Sequence, residues 1–279
     1  MPNSIATQTP IPTAKLIQLK VRLNDTYRLV KLYLDIEQFS QKIMWSYFSQ
    51  GQFYEPAETK LLQRVLTPGD TFIDIGAHIG YYSLIAALLV GENGQVFSVE
   101  PNAININWIR HHIAANQLEN IEIFPTVLGG ENKAVEFFIN ADNDGGHALW
   151  DVGLHKINKK SRLNPQTETL QMSTLDDLLK DKPLNSLKLI KIDAEGAEYQ
   201  ILQGAENTLF RSGVPYVICE INRFALQKMG TSETQLRELM GAMGYTPYLL
   251  RNEAPHLVKL SPDRYYNSPY VFNLVFART

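Results

Sequence analysis

Apolar and polar positions change rhythm near residue 70. Before it, Lys15 to Leu23 and Tyr27 to Leu34 alternate around Asn24-Asp25, which predicts a β-hairpin. Residues 36–66 then read as mostly helical, with a break near Gly51 and Pro56. Residues 1–13 are polar, carry Pro2, Pro10 and Pro12, and read as a loose arm. From 70 onward, short apolar runs alternate with amphipathic segments, the signature of an α/β sheet. Strands are predicted at Thr71–Ile75, Gln95–Glu100, Ile121–Pro125, Leu187–Asp193, Tyr216–Ile221, Tyr245–Leu250 and Tyr270–Ala277. Helices are predicted at Tyr81–Val90, Asn102–Asn116, Leu175–Lys180, Ala197–Phe210 and Ser232–Met243. Thr174 and Asn102 are the expected caps of their helices. Residues 131–172 break the pattern. Val135–Ile139 and Glu168–Met172 read as added strands, and the long loop between them reads as a lid or binding loop. Two domains follow: a hairpin and helical extension over 1–55 and the α/β domain over 56–279.

Composition narrows the partners. The chain has 279 residues, 44% hydrophobic and 20% charged, with a formal net charge of −3. That balance leaves no basic footprint for nucleic acid or an anionic membrane. The longest apolar stretch, Leu84 to Val90, is too short to span a bilayer, and the start lacks the pattern of a secretory signal. The one cysteine, Cys219, sits in an apolar strand and reads as a buried hydrophobe. A reducing, cytoplasmic setting is expected. The hairpin offers an edge through which two copies can pair, so a homo-oligomer is left open.

Candidate chemistry lies at strand ends, where open α/β sheets bind their ligands. Thr71–Ile75 runs into Gly76-Ala-His-Ile-Gly80 and then a helix. A dinucleotide site needs G-x-G-x-x-G, and the close glycine pair is missing. Asp74, just before the loop, would repel a pyrophosphate but suit an ammonium. Glycine at 76 and 80 permits a tight turn and close ligand approach. Glu100 ends the second strand, about 24 residues past Gly76, where a carboxylate accepts ribose hydroxyls. Asp74, Gly76, His78, Gly80, Glu100 and Asn102 thus form a cofactor site that fits S-adenosylmethionine (SAM). An NAD-dependent oxidoreductase and a non-catalytic SAM-binding protein are the alternatives.

Asp74-Ile-Gly-Ala-His-Ile-Gly80, Glu100-Pro-Asn102, Thr174-Leu-Asp-Asp177 and Lys191-Ile-Asp-Ala-Glu-Gly-Ala-Glu198 together resemble the FkbM-like methyltransferases. Phe53-Tyr-Glu-Pro56 is also similar to that family. The resemblance covers residues 50–250. It implies a class I Rossmann-like fold with a mostly parallel seven-stranded sheet and an antiparallel last strand. It also implies methyl transfer from SAM to a hydroxyl oxygen of a sugar, glycan or other natural product. His78 departs from the family, which commonly carries Asn there. In this fold the upstream segment, with Tyr54 and Glu55, covers the methionine end of SAM.

Asp193, Glu220 and Asn222 should converge near the methyl group, because they end the fourth and fifth strands. Two mechanisms remain open. Asp193 or a histidine, His147 foremost, acts as base; or Asp193, Glu220 and Asn222 hold a Mg²⁺-like ion. Glu195 and Glu198 read as acids at a helix start. His111 and His112 are expected at the surface.

Overall fold

The computed structural model describes residues 14–23, 26–250, 257–261, 266, 268 and 271–278. The proline-bearing arm, the turn at 24–25 and the start of the last predicted strand lie outside them. β1 (Lys15–Leu23) and β2 (Thr26–Leu34) pair antiparallel as the alternation predicts. Their inward residues Leu19, Val21, Val30, Leu32 and Leu34 are buried. Helices α1 (Phe39–Phe48) and α2 (Pro56–Val65) follow, with Pro56 in the first turn, where a missing N–H costs nothing. Hairpin and helices share one apolar cluster with Ile79, Tyr81, Leu84 and Ile85 of the α/β layer.

The first half of the main sheet is β3 (Thr71–Ile75), α3 (Tyr81–Val90), β4 (Gln95–Val99), α4 (Ala103–Asn116) and β5 (Ile121–Phe124). β3 is buried at every position because it is central and covered on both faces. Asn102 caps α4, its side chain accepting from the N–H groups of Ile104 and Asn105. A separate three-stranded sheet comes next, from β6 (Val127–Leu128), β7 (Lys133–Ile139) and β8 (Gln166–Ser173), with α5 (Lys159–Leu163) between the last two. The second half is α6 (Leu175–Leu178), β9 (Leu187–Ile192), α7 (Glu198–Gln203), α8 (Glu206–Ser212), β10 (Tyr216–Ile221), α9 (Arg223–Lys228), α10 (Glu233–Ala242), β11 (Thr246–Leu249), β12 (Val258–Lys259) and β13 (Phe272–Ala277).

The main sheet has the order β12-β11-β13-β10-β9-β3-β4-β5. β5, β4, β3, β9 and β10 run parallel, and β13 is antiparallel to both β10 and β11. This is the expected seven-stranded, mostly parallel α/β sheet with an antiparallel last strand, extended by the two-residue edge strand β12. The strand order reverses between β3 and β9. At such a switch point the connections leave in opposite directions and open a crevice at the carboxyl ends. Gly76, Glu100, Asp193 and Glu220 all stand at that end.

Three local expectations are corrected. The helix expected at 197–210 is two, because the Gly204 carbonyl leaves the ladder to accept from the Asp176 N–H at 2.9 Å. A helix over Arg223–Lys228 was not foreseen; Asn222 starts it by accepting from Ala225 N–H. His112 is fully buried rather than at the surface. Its Nδ1–H donates to the Ile79 carbonyl at 2.8 Å and its Nε2 accepts from the Tyr33 N–H at 3.0 Å, tying α4 to the hairpin. Burial lowers its pKa to about 4, so it stays neutral.

Candidate active site

The glycine loop is held tightly. Gly76 and Ala77 donate to the Val99 carbonyl at 2.9 and 3.1 Å, and Asp193 N–H donates to the Ile75 carbonyl at 3.0 Å. Gly76 has φ +77°, and a Cβ there would lie 1.8 Å from the Asp193 carbonyl oxygen. Gly80 has φ +87° and faces the Ile109 side chain. Strand and helix packing therefore demands both glycines, beyond any need of a ligand. Gly76→Ala should cost at least the ~1–3 kcal/mol of left-handed strain, with the clash added. A large fall in the denaturant midpoint would show it; an unchanged midpoint would contradict this packing.

Asp74 is placed differently from the expectation of an open ammonium partner. It is 1% exposed and does not line the cleft. Its carboxylate accepts from Ser83 Oγ at 2.6 Å, and Ser83 in turn bonds Ser98. Burial raises its pKa, while Lys191 and Ser83 pull it back. Asp74 thus fastens α3 to the strands beneath the site.

A cleft of about 60 Å³ opens over the switch point, smaller than the ~300–1,000 Å³ usual for small-molecule sites. Gly76, His78, Glu100, Asn105, His147, Asp193 and Glu195 line it, with Val127, Leu128, Phe137 and Ile201 as apolar wall. Glu100 is locked from beneath. Its Oε2 accepts from His78 N–H at 2.8 Å and its Oε1 from Asn102 N–H at 2.9 Å. Oε1 also accepts from Asn105 Nδ2 at 3.4 Å, so the lone pair left for a ligand is on Oε2. His78, itself at φ +52°, binds Asp144 through Nε2 at 2.9 Å. Asp144 also accepts from Ser40 N–H and Gln41 Nε2, so the loop carrying it is pinned to α1. Burial alone would raise the Asp144 carboxyl, but His78 and Gln41 outweigh it and hold the pKa below the ordinary value.

His147 lines this cleft, but its Nδ1 accepts from the Asn140 N–H at 2.9 Å. Burial lowers its pKa to about 4. A neutral ring whose one lone pair is taken presents only an Nε2–H donor. The base role expected of it does not fit this arrangement.

A second, wider cleft of about 520 Å³ adjoins the first and shares Glu195 with it. Tyr54, Glu55, Glu220 and Asn222 line it, between Trp150, Phe224 and Phe272. The strand ends thus divide the predicted residues: Asp193 on the first cleft, Glu220 and Asn222 on the second. Asn222 spends its amide on capping α9 and on donating to Glu195 at 3.2 Å. Among the described residues no group of three or more His, Cys, Asp or Glu is arranged to hold a metal ion. Asp193 and Glu220 line different clefts and Asn222 Oδ1 already accepts from Ala225 N–H, so the Mg²⁺ site expected from these three residues is not supported.

Charge at this end is lopsided. Lys191 is 2% exposed and donates to Asp193 Oδ2 at 2.7 Å, with Nζ 4.7 Å from the Tyr82 ring centre. Burial would lower its pKa, but Asp193, Glu55 and Asp74 outweigh it and keep it protonated. Glu55, at φ +41°, accepts from Tyr82 Oη at 2.6 Å. Burial, then Asp193 and Glu198, push Glu195 up to about 8. Burial pushes Glu198 up to about 7, though Ala194 and Gly196 N–H donate to it. Burial and Glu55 push Glu58 up to about 7. Burial and the same carboxylates push Glu220 well above the ordinary range.

A carboxyl whose pKa is raised by folding stabilises the fold below its unfolded pKa and loses that contribution as pH rises through the folded value. Glu58, Glu195 and Glu198 place that loss between about pH 5 and 8. His112 and His147, lowered to about 4, lose theirs as pH falls from about 6.5. The ligand-free protein should therefore melt several degrees lower at pH 8.5 than at pH 6.5. A melting temperature that rises across that range would contradict the charge assignment.

Sequence reading gave no role in the site to Lys191, Glu195, Asp144 or Asn273. Glu195 had a signal, an acid before glycine directly after a strand; it takes φ +49°, unusual for a residue with a side chain. The other three depend on contacts distant in sequence.

The family model described as the methyltransferase FkbM domain matches residues 74–247. The chain is 26% identical over 164 residues to 31-O-demethyl-FK506 methyltransferase FkbM of Streptomyces tacrolimicus, covering 51% of this chain and 62% of that protein. It is 30% identical over 152 residues to a ribosomal protein L11 methyltransferase of Streptococcus pneumoniae, covering 53% of this chain and 44% of that one. The chain thus spans less than two thirds of either relative. Among solved structures, a methyltransferase FkbM of Methylobacillus flagellatus aligns with TM-score 0.44 and 15% identity, covering 85% of this chain and 54% of its own.

Proposed function

The chain belongs to the FkbM methyltransferase family, and from that premise we propose that it moves a methyl group from SAM to a hydroxyl oxygen of a small acceptor, a sugar or other natural product. The observation that carries this reading is the meeting of two clefts at Glu195, beside the switch point of the sheet. A cofactor and an acceptor held in separate clefts with one shared wall can bring their reacting atoms together there.

The first cleft suits SAM in its donor chemistry. Glu100 presents an Oε2 lone pair to a ribose hydroxyl, the apolar wall faces a flat base, and Asp193 and Glu195 meet positive charge. When bound, SAM supplies a methyl carbon activated by a cationic sulfur. The protein must place the acceptor oxygen roughly 3–3.5 Å from that carbon and receive its proton.

Glu195 is the proposed proton acceptor. It lines both clefts, and its pKa of about 8 lies near neutrality, where general bases work best. A cation in the first cleft favours its ionised form, so the base is ready once the methyl donor is in place. Asp193, oriented by Lys191, faces the methyl donor from the first cleft.

Incubating the protein with SAM and a panel of hydroxylated acceptors, with mass spectrometry of the products, tests the proposal. The expected product is a methyl ether together with S-adenosylhomocysteine. Methylation confined to nitrogen, carbon or protein acceptors would overturn the assignment to hydroxyl oxygen.

A further inference from the structure

The second cleft contains acceptors that nothing in the protein satisfies. Glu220 Oε2 and Asn273 Oδ1 are both enclosed, and neither has a hydrogen-bond partner. They are cross-strand partners on β10 and β13, so they share one face of the sheet, and both line this cleft. Asn273 Nδ2 donates to Glu58 Oε1 at 2.9 Å, which leaves its Oδ1 facing the cleft. An enclosed acceptor without a donor carries its full desolvation cost. Two side by side on a cleft wall mark a place where a ligand brings donors.

The charge of that ligand follows from its surroundings. Glu55 and Glu195 line the same cleft. The cations within reach are committed elsewhere. Lys191 is on Asp193. Arg223 donates to Glu233 and to the carbonyls of Tyr266 and Ser268. His155 has its pKa lowered by burial and by Lys156 and Arg162. Glu55 and Glu220 share the Lys191 cation with Asp193 and Asp74, and burial with neighbouring carboxylates raises the pKa of both; a cation seated beside them would favour their ionised forms. Lys228 Nζ already lies 5.2 Å from the Phe224 ring centre, so the Trp150 ring, packed edge to face against Phe224, is the π surface left beside the cleft.

We propose that the acceptor cleft is built for a substrate bearing a protonated amine, seated on Glu220 and Asn273 beside Glu55. An ammonium group offers three donors and one positive charge, which answers both shortages; a neutral hydroxyl answers only the first. The ammonium has no lone pair, so it anchors the substrate while a neighbouring hydroxyl stays the nucleophile. An amino sugar is the simplest molecule with this chemistry. The inference rests on the methyltransferase reading, and its test separates the two.

The test is calorimetry on protein saturated with S-adenosylhomocysteine, titrated with glucosamine, glucose and N-acetylglucosamine near pH 7. Glucosamine should bind at least about tenfold more tightly than either neutral sugar, a preference that Glu220→Gln and Asn273→Ala each reduce. Equal affinities, or no binding of glucosamine, would overturn the proposal. So would a Glu220→Gln variant that loses S-adenosylhomocysteine but keeps the amine preference, because the ammonium would then belong to the cofactor. A preference that Mg²⁺ abolishes by occupying the site would overturn it too. Failure of the wild type to bind S-adenosylhomocysteine at all would instead remove the underlying methyltransferase reading.

Discussion

Lys191→Met should lower the stability of the protein by about 3–5 kcal/mol, the usual cost of leaving buried charge without its partner. Lys191 is enclosed among Asp193, Glu55 and Asp74, and its Nζ is 2.7 Å from Asp193 Oδ2. Methionine nearly matches its length and apolar stem, so lost volume contributes little. What disappears is the cation that lets these carboxylates sit together. Each must then take up a proton or tolerate its neighbours, and both cost free energy. At roughly 2–4 °C per kcal/mol for a chain of this size, the melting temperature should fall by roughly 10 °C. Adding Asp193→Asn to the same chain should restore part of the loss. A single variant that melts within two or three degrees of the wild type, by ~1 kcal/mol or less, would show that Lys191 does not balance the cluster.

Glu195→Gln should reduce kcat/KM by roughly 10²–10⁴, the range for removing a general base. The substitution keeps shape and the oxygen that accepts from Asn222. The pH profile gives the sharper readout. In the wild type, activity requires ionised Glu195, so kcat/KM should climb with pH through about 8, the value of the ligand-free site. Glu195→Gln should flatten that limb while S-adenosylhomocysteine, whose sulfur is neutral, still binds. If Asp193→Asn removes the limb and Glu195→Gln leaves it, the proton goes to Asp193 instead.

The fold was legible where local chemistry decides it. β3, β10 and α3 occur at their predicted bounds, because buried strands and an all-apolar helix carry strong patterns. The caps at Asn102 and Thr174 were readable from residue type and position. The break after α7 was not, since it depends on a carbonyl bonded to α6, far away in sequence. His112 was misread for a related reason: a histidine on a polar-looking helix gives no sign that a hairpin some 80 residues earlier covers it.

The site divides along the same line. Motif spacing brought Gly76, His78, Glu100 and Asp193 to one cleft and Glu220 with Asn222 to the next. Roles were less readable than places. Asp74 turned inward because Ser83 offers it a closer partner than any ligand. His147 lost its lone pair to a backbone N–H seven residues away. Glu195, read as a residue of the helix start, became the wall common to both clefts because Gly196 lets the chain turn between them.

Calorimetric titration with S-adenosylhomocysteine, on the wild type and on Glu100→Gln, tests the central claim most directly. The wild type should bind one molecule per chain. Glu100→Gln should bind it about 10- to 150-fold more weakly, the loss expected for one hydrogen bond to a charged group. A wild type that ignores S-adenosylhomocysteine and binds NADH, or a Glu100→Gln variant with undiminished affinity, would contradict it.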